Sequence, residues 1–193
     1  MSTMTQTLRT LAFHEVVSDR RIRTALGMLA FALATSFGAY VAVPLPWTNV
    51  PMTLQPLFVI LAGAVLGSRA GAGAMAAYLA AGAMGAPVFS FGGAGLPWLM
   101  GPTGGYLLAM PAAAFLVGVI AGRDAGWVRL LVALTLGMAT IYVGGVSQLF
   151  LLTRQELGGL LAVGVMPFLV GDVTKILAAA LLARSVRSTS LGR

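Results

Sequence analysis

The stretch P-F-L-V-G-D-V-T-K-I-L-A-A-A-L-L-A, from Pro167 to Ala183, decides the fold. Only Asp172 and Lys175 interrupt its apolar composition, and Pro167 is a residue type favoured in the first turn of a helix. A surface helix of a water-soluble domain would instead carry charged residues along one whole face. We therefore interpret this stretch as a membrane-spanning helix that carries two buried charges.

The composition of the whole chain agrees with a membrane environment. Of the 193 residues, 59% are hydrophobic and only 9% are charged. A soluble domain carries about 25% charged residues, because its surface must be solvated. The sequence therefore predicts a lipid bilayer as the main partner and excludes nucleic acid. In a membrane protein, the net charge of +7 indicates how the chain is oriented across the bilayer.

Apolar runs separated by turn residues predict the fold class, an all-α polytopic membrane protein with six transmembrane helices in one bundle. The predicted spans are 24–43, 56–66, 70–84, 104–122, 127–152 and 167–183. The second and third are shorter than the roughly 20 residues that a bilayer needs, so we expect tilt or extra turns from their flanks. Residues 1–23 are predicted to form a cytoplasmic segment, 24–183 the membrane domain and 184–193 a basic cytoplasmic tail.

Arginine placement predicts the orientation of these spans. With six spans, the arginines on the side of both termini are Arg9, Arg20, Arg21, Arg23, Arg69, Arg123, Arg129, Arg184, Arg187 and Arg193. Arg154 alone lies on the other side. Positively charged residues accumulate on the cytoplasmic side of membrane proteins. We therefore expect a multi-pass protein of the cell (inner) membrane with both termini in the cytoplasm.

The connections on the outer side are long, and we expect them to be irregular. They cover residues 44–55, 87–103 and 153–166, and three prolines keep the first of them non-helical. Long ordered loops in compact proteins are often functional. A ligand is therefore expected to enter from outside.

Small residues recur at a spacing of four along several spans, which lets another helix approach closely. For the glycine pairs, such as Gly63 with Gly67, we expect packing inside the bundle. Ala30 and Ala34 continue at the same spacing to Gly38. For this strip, contact with a partner subunit and internal packing both remain open.

Asp172 and Lys175 are the two charges that do not mark the end of an apolar run. Their spacing of three places them on one helix face, and a charge near the membrane centre costs roughly 3 kcal/mol. Lys175 is also the only lysine in the chain. The pair either neutralises itself within the bundle or supplies an acceptor and a donor to a small polar ligand. A proton relay is less well supported, because the spans offer no further carboxylates or histidines.

Residues of the outer segments provide candidate walls for a ligand pocket. The polar candidates are Asn49, Thr53 and Gln55, and the aromatic candidates are Phe91, Trp98 and Tyr106. Trp98 also fits the aromatic belt at a membrane interface. Without cysteine, and with His14 as the only histidine, no metal or catalytic site is expected. The chain also lacks a phosphate-binding loop motif, so any nucleotide hydrolysis would need another subunit.

Four stretches together resemble the BioY family, the biotin-binding S component of energy-coupling factor (ECF) transporters. They are V-P-M-T-L-Q-P-L-F-V-I-L-A-G-A-V-L-G (Val50–Gly67), G-A-P-V-F-S-F-G-G-A-G (Gly85–Gly95), G-P-T-G-G-Y-L (Gly101–Leu107) and P-F-L-V-G-D-V-T-K (Pro167–Lys175). The resemblance covers nearly all of the chain after residue 23, in the same order and at similar spacing.

The resemblance implies a six-helix protein that captures biotin from outside and needs no cofactor. Asp172 and Lys175 would bind the ureido ring of biotin, with Gln55 and Tyr106 beside it. Ala30 and Ala34 would contact a transmembrane coupling subunit (T component), which works with ABC-type ATPases. Some relatives carry an arginine in the glycine loop, where this chain reads G-G-A-G, so the partner of the biotin carboxylate stays open. An S component or small transporter for a different vitamin-like solute is the alternative.

Overall fold

The computed structural model describes residues 19–122 and 124–191. The expectations for residues 1–18, Arg123 and residues 192–193 lie outside this part of the chain. The described residues form the helices and strands α1 (Arg20–Tyr40), β1 (Ala42–Leu45), β2 (Thr48–Thr53), α2 (Gln55–Leu66), α3 (Ser68–Ala83), α4 (Leu96–Met100), α5 (Gly104–Leu108), α6 (Met110–Ala121), α7 (Trp127–Thr153), α8 (Leu157–Gly164) and α9 (Leu169–Leu191). Single 3-10 turns lie at Ser90–Gly92 and Met166–Phe168.

Four helical stretches in the described residues are long and apolar enough to cross a membrane. They are Arg20–Tyr40, Gly104–Ala121, Trp127–Thr153 and Leu157–Arg187. Helix α2 has 12 residues, which at 1.5 Å per residue is about 18 Å, well short of the hydrocarbon core. The predicted helical class is therefore confirmed, whereas length alone does not give six spans.

The last helix differs from its predicted limits at both ends. Pro167 lies in the 3-10 turn that precedes α9, and the helix then continues beyond Ala183 to Leu191. The extension has a simple cause, since no glycine or proline occurs between Ala183 and Gly192. The first part of the predicted tail is therefore helical.

Helix α2 occupies the centre of the bundle and contacts α1, α3, α6, α7 and α9. Three glycines allow this close packing. A Cβ on Gly63 would lie 2.3 Å from the backbone oxygen of Ala114, and one on Gly118 would lie 2.2 Å from the backbone nitrogen of Ser68. At Gly71 it would lie 2.9 Å from Cα of Gly63. These glycines therefore pack α2, α3 and α6 against one another, as the sequence predicted.

The three outer connections are more regular than the sequence predicted. Residues 42–53 form an antiparallel hairpin in which Ala42 pairs with Thr53 and Leu45 with Thr48, with an irregularity at Pro44. Prolines exclude a helix here but are compatible with a two-stranded ribbon, because each strand has a free edge. The second connection contains α4, and the third contains α8. The fold is thus mostly helical rather than purely α.

The small residues of α1 lie partly on its contact with α2 and partly on its outer surface. A Cβ on Gly27 would lie 2.8 Å from Leu66 Cδ2, and one on Gly38 would lie 2.9 Å from the backbone nitrogen of Gln55. Both glycines therefore pack internally against α2. Ala30 is exposed and Ala34 half-buried, so only these two members of the strip are accessible from outside the chain.

Substitution of Gly63 by alanine is expected to destabilise the bundle. The new methyl group would meet backbone rather than a flexible side chain, and overpacking of this kind costs about 1–3 kcal/mol. Thermal unfolding in detergent should show a lower midpoint for Gly63→Ala. Gly158→Ala is the matched control, because a Cβ there has open space, and an equal loss in both variants would contradict the packing role of Gly63.

Candidate functional site

A cavity of about 60 Å³ lies beneath the β-hairpin, where α2, α5, α7 and α9 meet. Its lining comprises Val50, Pro51, Thr53, Gln55, Pro56, Ser90, Thr103, Tyr106, Leu107, Met110, Met138, Ile141, Tyr142, Phe168 and Asp172. The walls are mainly apolar, with a few polar groups on opposite sides. This combination is typical of small-molecule binding sites.

Asp172 provides the only carboxylate among the cavity-lining residues. Lys175 Nζ donates to its Oδ1 over 2.7 Å, and the Tyr142 hydroxyl donates to its Oδ2. Asp172 and Lys175 are only 4% and 7% exposed. The spacing of three on α9 brings the two charges together, and the tyrosine from α7 satisfies the second oxygen. Such complete pairing compensates the loss of hydration on burial.

Tyr142 and Asp172 both lie between the cavity and a groove of the bundle. Met138, Tyr142 and Asp172 line the cavity, and the same three residues also line a groove between α7 and α9. Lys175 lies one turn farther along α9 and does not line the cavity, which it reaches through Asp172. The ion pair therefore borders the cavity and also lies at the contact between α9 and α7.

Gln55 forms the centre of a second polar cluster. Its Nε2 donates to the Tyr78 hydroxyl over 2.6 Å, and its Oε1 accepts from Thr53 Oγ1 at 3.2 Å and Ser90 Oγ at 3.3 Å. The Tyr78 hydroxyl in turn donates to the backbone oxygen of Val88. These bonds fix the orientation of the carboxamide at the start of α2. Because its NH₂ group has two hydrogens, one remains for a ligand.

The ring of Tyr106 lines the cavity, whereas its hydroxyl forms a hydrogen bond that stabilises the fold. The hydroxyl donates to the backbone oxygen of Gly164 over 2.8 Å. The ring packs on Gly145, where a Cβ would lie 2.2 Å from Tyr106 Cζ. Tyr106 therefore supplies an apolar wall between α5, α7 and the end of α8.

The structure brings Thr53, Gln55, Tyr106 and Asp172 together at the cavity but not the other three wall candidates. Side chains alternate along a strand, so Asn49 is exposed next to the buried Val50. Phe91 adopts a positive φ of 55° in a 3-10 turn and is 59% exposed.

Trp98, the third of these candidates, packs against Gly93 at the base of the glycine loop. Its Nε1 is buried and finds no hydrogen-bond partner among the described residues. Asn49, Phe91 and Trp98 thus do not line this cavity, and a role for them in ligand binding stays a prediction. Within residues 19–122 and 124–191 there is also no cluster of three or more possible metal ligands.

The sequence model of the BioY family matches residues 4–191 of this chain. The chain belongs to the BioY family. A probable biotin transporter BioY of Pyrococcus horikoshii is 38% identical over 160 residues, which is 83% of this chain and 93% of that protein. The biotin transporter BioY of Thermotoga maritima is 36% identical over 156 residues, 81% of this chain and 90% of the relative. The resemblance predicted from the four motifs is confirmed.

The fold of this BioY protein also matches a crystal structure of the S component for biotin from an ECF-type ABC transporter. The TM-score is 0.83 at 24% sequence identity, and the match covers 89% of this chain and 94% of the other. At that identity the likeness establishes the fold. Together with the four long apolar helices, it makes this chain an integral membrane protein.

Three polar residues of the site were missed by the sequence reasoning. Tyr142 lies in the middle of a mainly apolar span, and Ser90 and Tyr78 contact Gln55 from distant parts of the sequence. Tyr142 could have been found by the rule that a polar group in a span needs a partner. Ser90 gives no such signal, because it lies in a loop where serine is common.

Removal of one partner of the ion pair should destabilise the protein more than removal of both. Lys175→Met leaves a buried carboxylate without its countercharge, which costs about 3–5 kcal/mol. In the double variant Asp172→Asn with Lys175→Met, part of this stability should return. Thermal unfolding without ligand measures both, and a double variant less stable than Lys175→Met would contradict the pairing argument.

Proposed function

We propose that this BioY protein is the high-affinity biotin-binding membrane subunit of a biotin uptake transporter. The observation that carries the proposal is the mainly apolar cavity with Asp172 and the fixed Gln55 carboxamide among its lining residues. Relatives that match over four-fifths of the chain are named biotin transporters. The apolar walls and the few polar groups of the cavity are compatible with the same ligand.

The head group of biotin suits these partners chemically. Its bicyclic ureido group is neutral and presents N–H donors together with one carbonyl acceptor. Asp172 would accept from an N–H, and Lys175 Nζ or Gln55 Nε2 would donate to the carbonyl. Charged partners make such hydrogen bonds stronger, about 1.5–3 kcal/mol each. Met110, Met138 and Phe168 supply the apolar contacts for the ring system and the valeryl chain.

Binding requires the cavity to enlarge. At 10–15 Å³ per water, its 60 Å³ hold roughly four to six waters, which is less space than biotin needs. Two walls come from outside the long helices, namely the hairpin through Val50 and Thr53, and the loop through Ser90. We infer that these two segments open to admit biotin and then close over it.

We infer six membrane crossings, with the termini and the basic end in the cytoplasm. The crossings are α1, α2, α3, α5 with α6, α7, and α8 with α9. Arg187 contacts Ala64 and Gly122, and Arg184 contacts Trp127. These contacts show that the start of α7 and the ends of α2, α6 and α9 lie at one end of the bundle. The described arginines at this end are Arg20, Arg21, Arg23, Arg69, Arg129, Arg184 and Arg187. Arg154 alone lies at the cavity end, as the positive-inside rule requires.

The same proposal includes an ATP-driven partner in the cell (inner) membrane. The crystal structure with the same fold is an S component of an ECF-type ABC transporter, so a T component and ABC-type ATPases are the expected partners. Helix α1 lies at the edge of the bundle and exposes Leu26, Leu29, Leu33 and Phe37. Ala30 lies within this exposed face, which makes α1 the candidate contact surface for the T component.

Biotin titration of the purified protein tests the ligand. We expect submicromolar binding, and a loss of at least 100-fold in Asp172→Asn with Lys175→Met, because two charge-assisted hydrogen bonds disappear. Thr174→Val is the matched control, since Thr174 is exposed on the same helix between the two charges. Undiminished binding in the double variant would refute the proposed site. Tight binding of another vitamin in place of biotin would refute the proposed substrate.

Tryptophan substitutions on α1 test the partner surface. Ala30→Trp and Ala34→Trp should leave biotin binding intact and weaken association with a T component by about tenfold or more, because a bulky ring blocks close helix approach. Ala112→Trp is the control, as Ala112 is exposed on α6. Co-purification with the T component measures the effect. An equal loss in all three variants would argue against α1 as the contact surface.

A further inference from the structure

The bundle has a second large cavity at the end opposite the proposed biotin site. Its volume is about 600 Å³. It lies among the start of α1, the turn between α2 and α3, the end of α6 and the last part of α9. Its lining comprises Arg20, Thr24, Ala64, Val65, Leu66, Gly67, Ser68, Arg69, Ala70, Gly118, Gly122, Asp124 and Arg187.

The charges around this basic cavity are mainly positive. Arg20, Arg69 and Arg187 line it, and Asp124 is the one carboxylate among its lining residues. Arg187 Nη2 donates to the backbone oxygens of Ala64 at 2.6 Å and Gly122 at 2.9 Å, and so satisfies the carboxyl ends of α2 and α6. Arg20 and Arg69 are exposed at the cavity edge, and neither forms an ion pair within the described part of the chain.

The first turn of α3 adds further positive character. Ser68, Arg69 and Ala70 all line the basic cavity, and Gly67 at the N-cap has no side chain to satisfy the first amides. The amino end of a helix carries a partial positive charge and unpaired N–H groups, which favours anions. The arginines and the helix end therefore act in the same direction.

Apolar residues also form part of this cavity. Val65 and Leu66, at the end of α2, belong to its wall beside the arginines. A ligand with an anionic group and apolar chains matches this combination. The end of a membrane bundle is also where lipid headgroups lie.

The geometry points to a binding site for the phosphate group of an anionic phospholipid in the basic cavity. Arg20 and Arg69 contact the phosphate, the amino end of α3 faces it, and the acyl chains begin at the apolar wall formed by Val65 and Leu66. Arg187 holds the helix ends that form the floor of the site. The site is independent of biotin binding, which takes place at the other end of the bundle.

Lipid titration of the purified full-length protein tests this inference. Native mass spectrometry in detergent would compare phosphatidylglycerol with phosphatidylcholine of the same acyl chains. The wild type should retain phosphatidylglycerol more strongly, and Arg20→Gln with Arg69→Gln should weaken its binding by about tenfold. The matched control is Arg21→Gln with Arg23→Gln, which removes two exposed charges from the same end of α1 without touching the cavity lining.

The outcomes separate the possible explanations. A loss confined to the Arg20 and Arg69 variant supports the site, while equal losses in both double variants, or none, would overturn it. Binding of inorganic phosphate to the same variants is measured in a second experiment. If it binds as tightly as the lipid and depends on the same two arginines, the ligand is free phosphate and the lipid assignment fails. Biotin affinity should stay unchanged in both variants, which shows that the protein is folded.

Discussion

The central position of helix α2, which contacts five other helices, is the constraint on which the rest of this structure depends. An apolar helix of 12 residues can be surrounded by five others only if their backbones approach closely, and glycines at Gly63, Gly71 and Gly118 permit this. The arrangement also connects the two ends of the molecule. Gln55 begins α2 at the cavity beneath the hairpin, and Leu66 ends it at the basic cavity. Because α2 is rigidly packed, the carboxamide of Gln55 has a fixed position relative to Asp172 on α9.

The Asp172 and Lys175 pair shows how such a bundle tolerates charge. In a low-dielectric interior an isolated charge is expensive, but here each carboxylate oxygen accepts a hydrogen bond, one from lysine and one from Tyr142. Self-neutralisation and ligand binding are therefore not exclusive alternatives. The carboxylate is paired within the protein, and under the proposed function a ureido group would replace one donor with another. Asp172 would then have hydrogen-bond donors both before and after binding.

Much of this arrangement could be predicted from the sequence, for reasons visible in individual residues. Asp172 and Lys175 stand out because charges inside apolar runs are costly, and Gly63 and Gly118 stand out because small residues repeat at helical spacing. Tyr142 did not stand out, since tyrosine is common in membrane helices and its partner is 30 residues away in sequence. The hairpin was missed because prolines exclude a helix without specifying a strand pairing. Asn49 was placed in the cavity wall for the same reason, because the direction of its side chain depends on the strand register.

The two ends of the bundle differ in a way that suits directional transport. The first cavity lies under the β-hairpin and the loop at Ser90, two short segments outside the long helices. The opposite end is tied by Arg187 to two helix termini and carries most of the described arginines. Opening the first end therefore disturbs short connections, whereas opening the second would separate packed helices at Gly118. Under the proposed function, loop movement would admit the ligand at the first end, and release at the basic end would need a partner subunit to move packed helices.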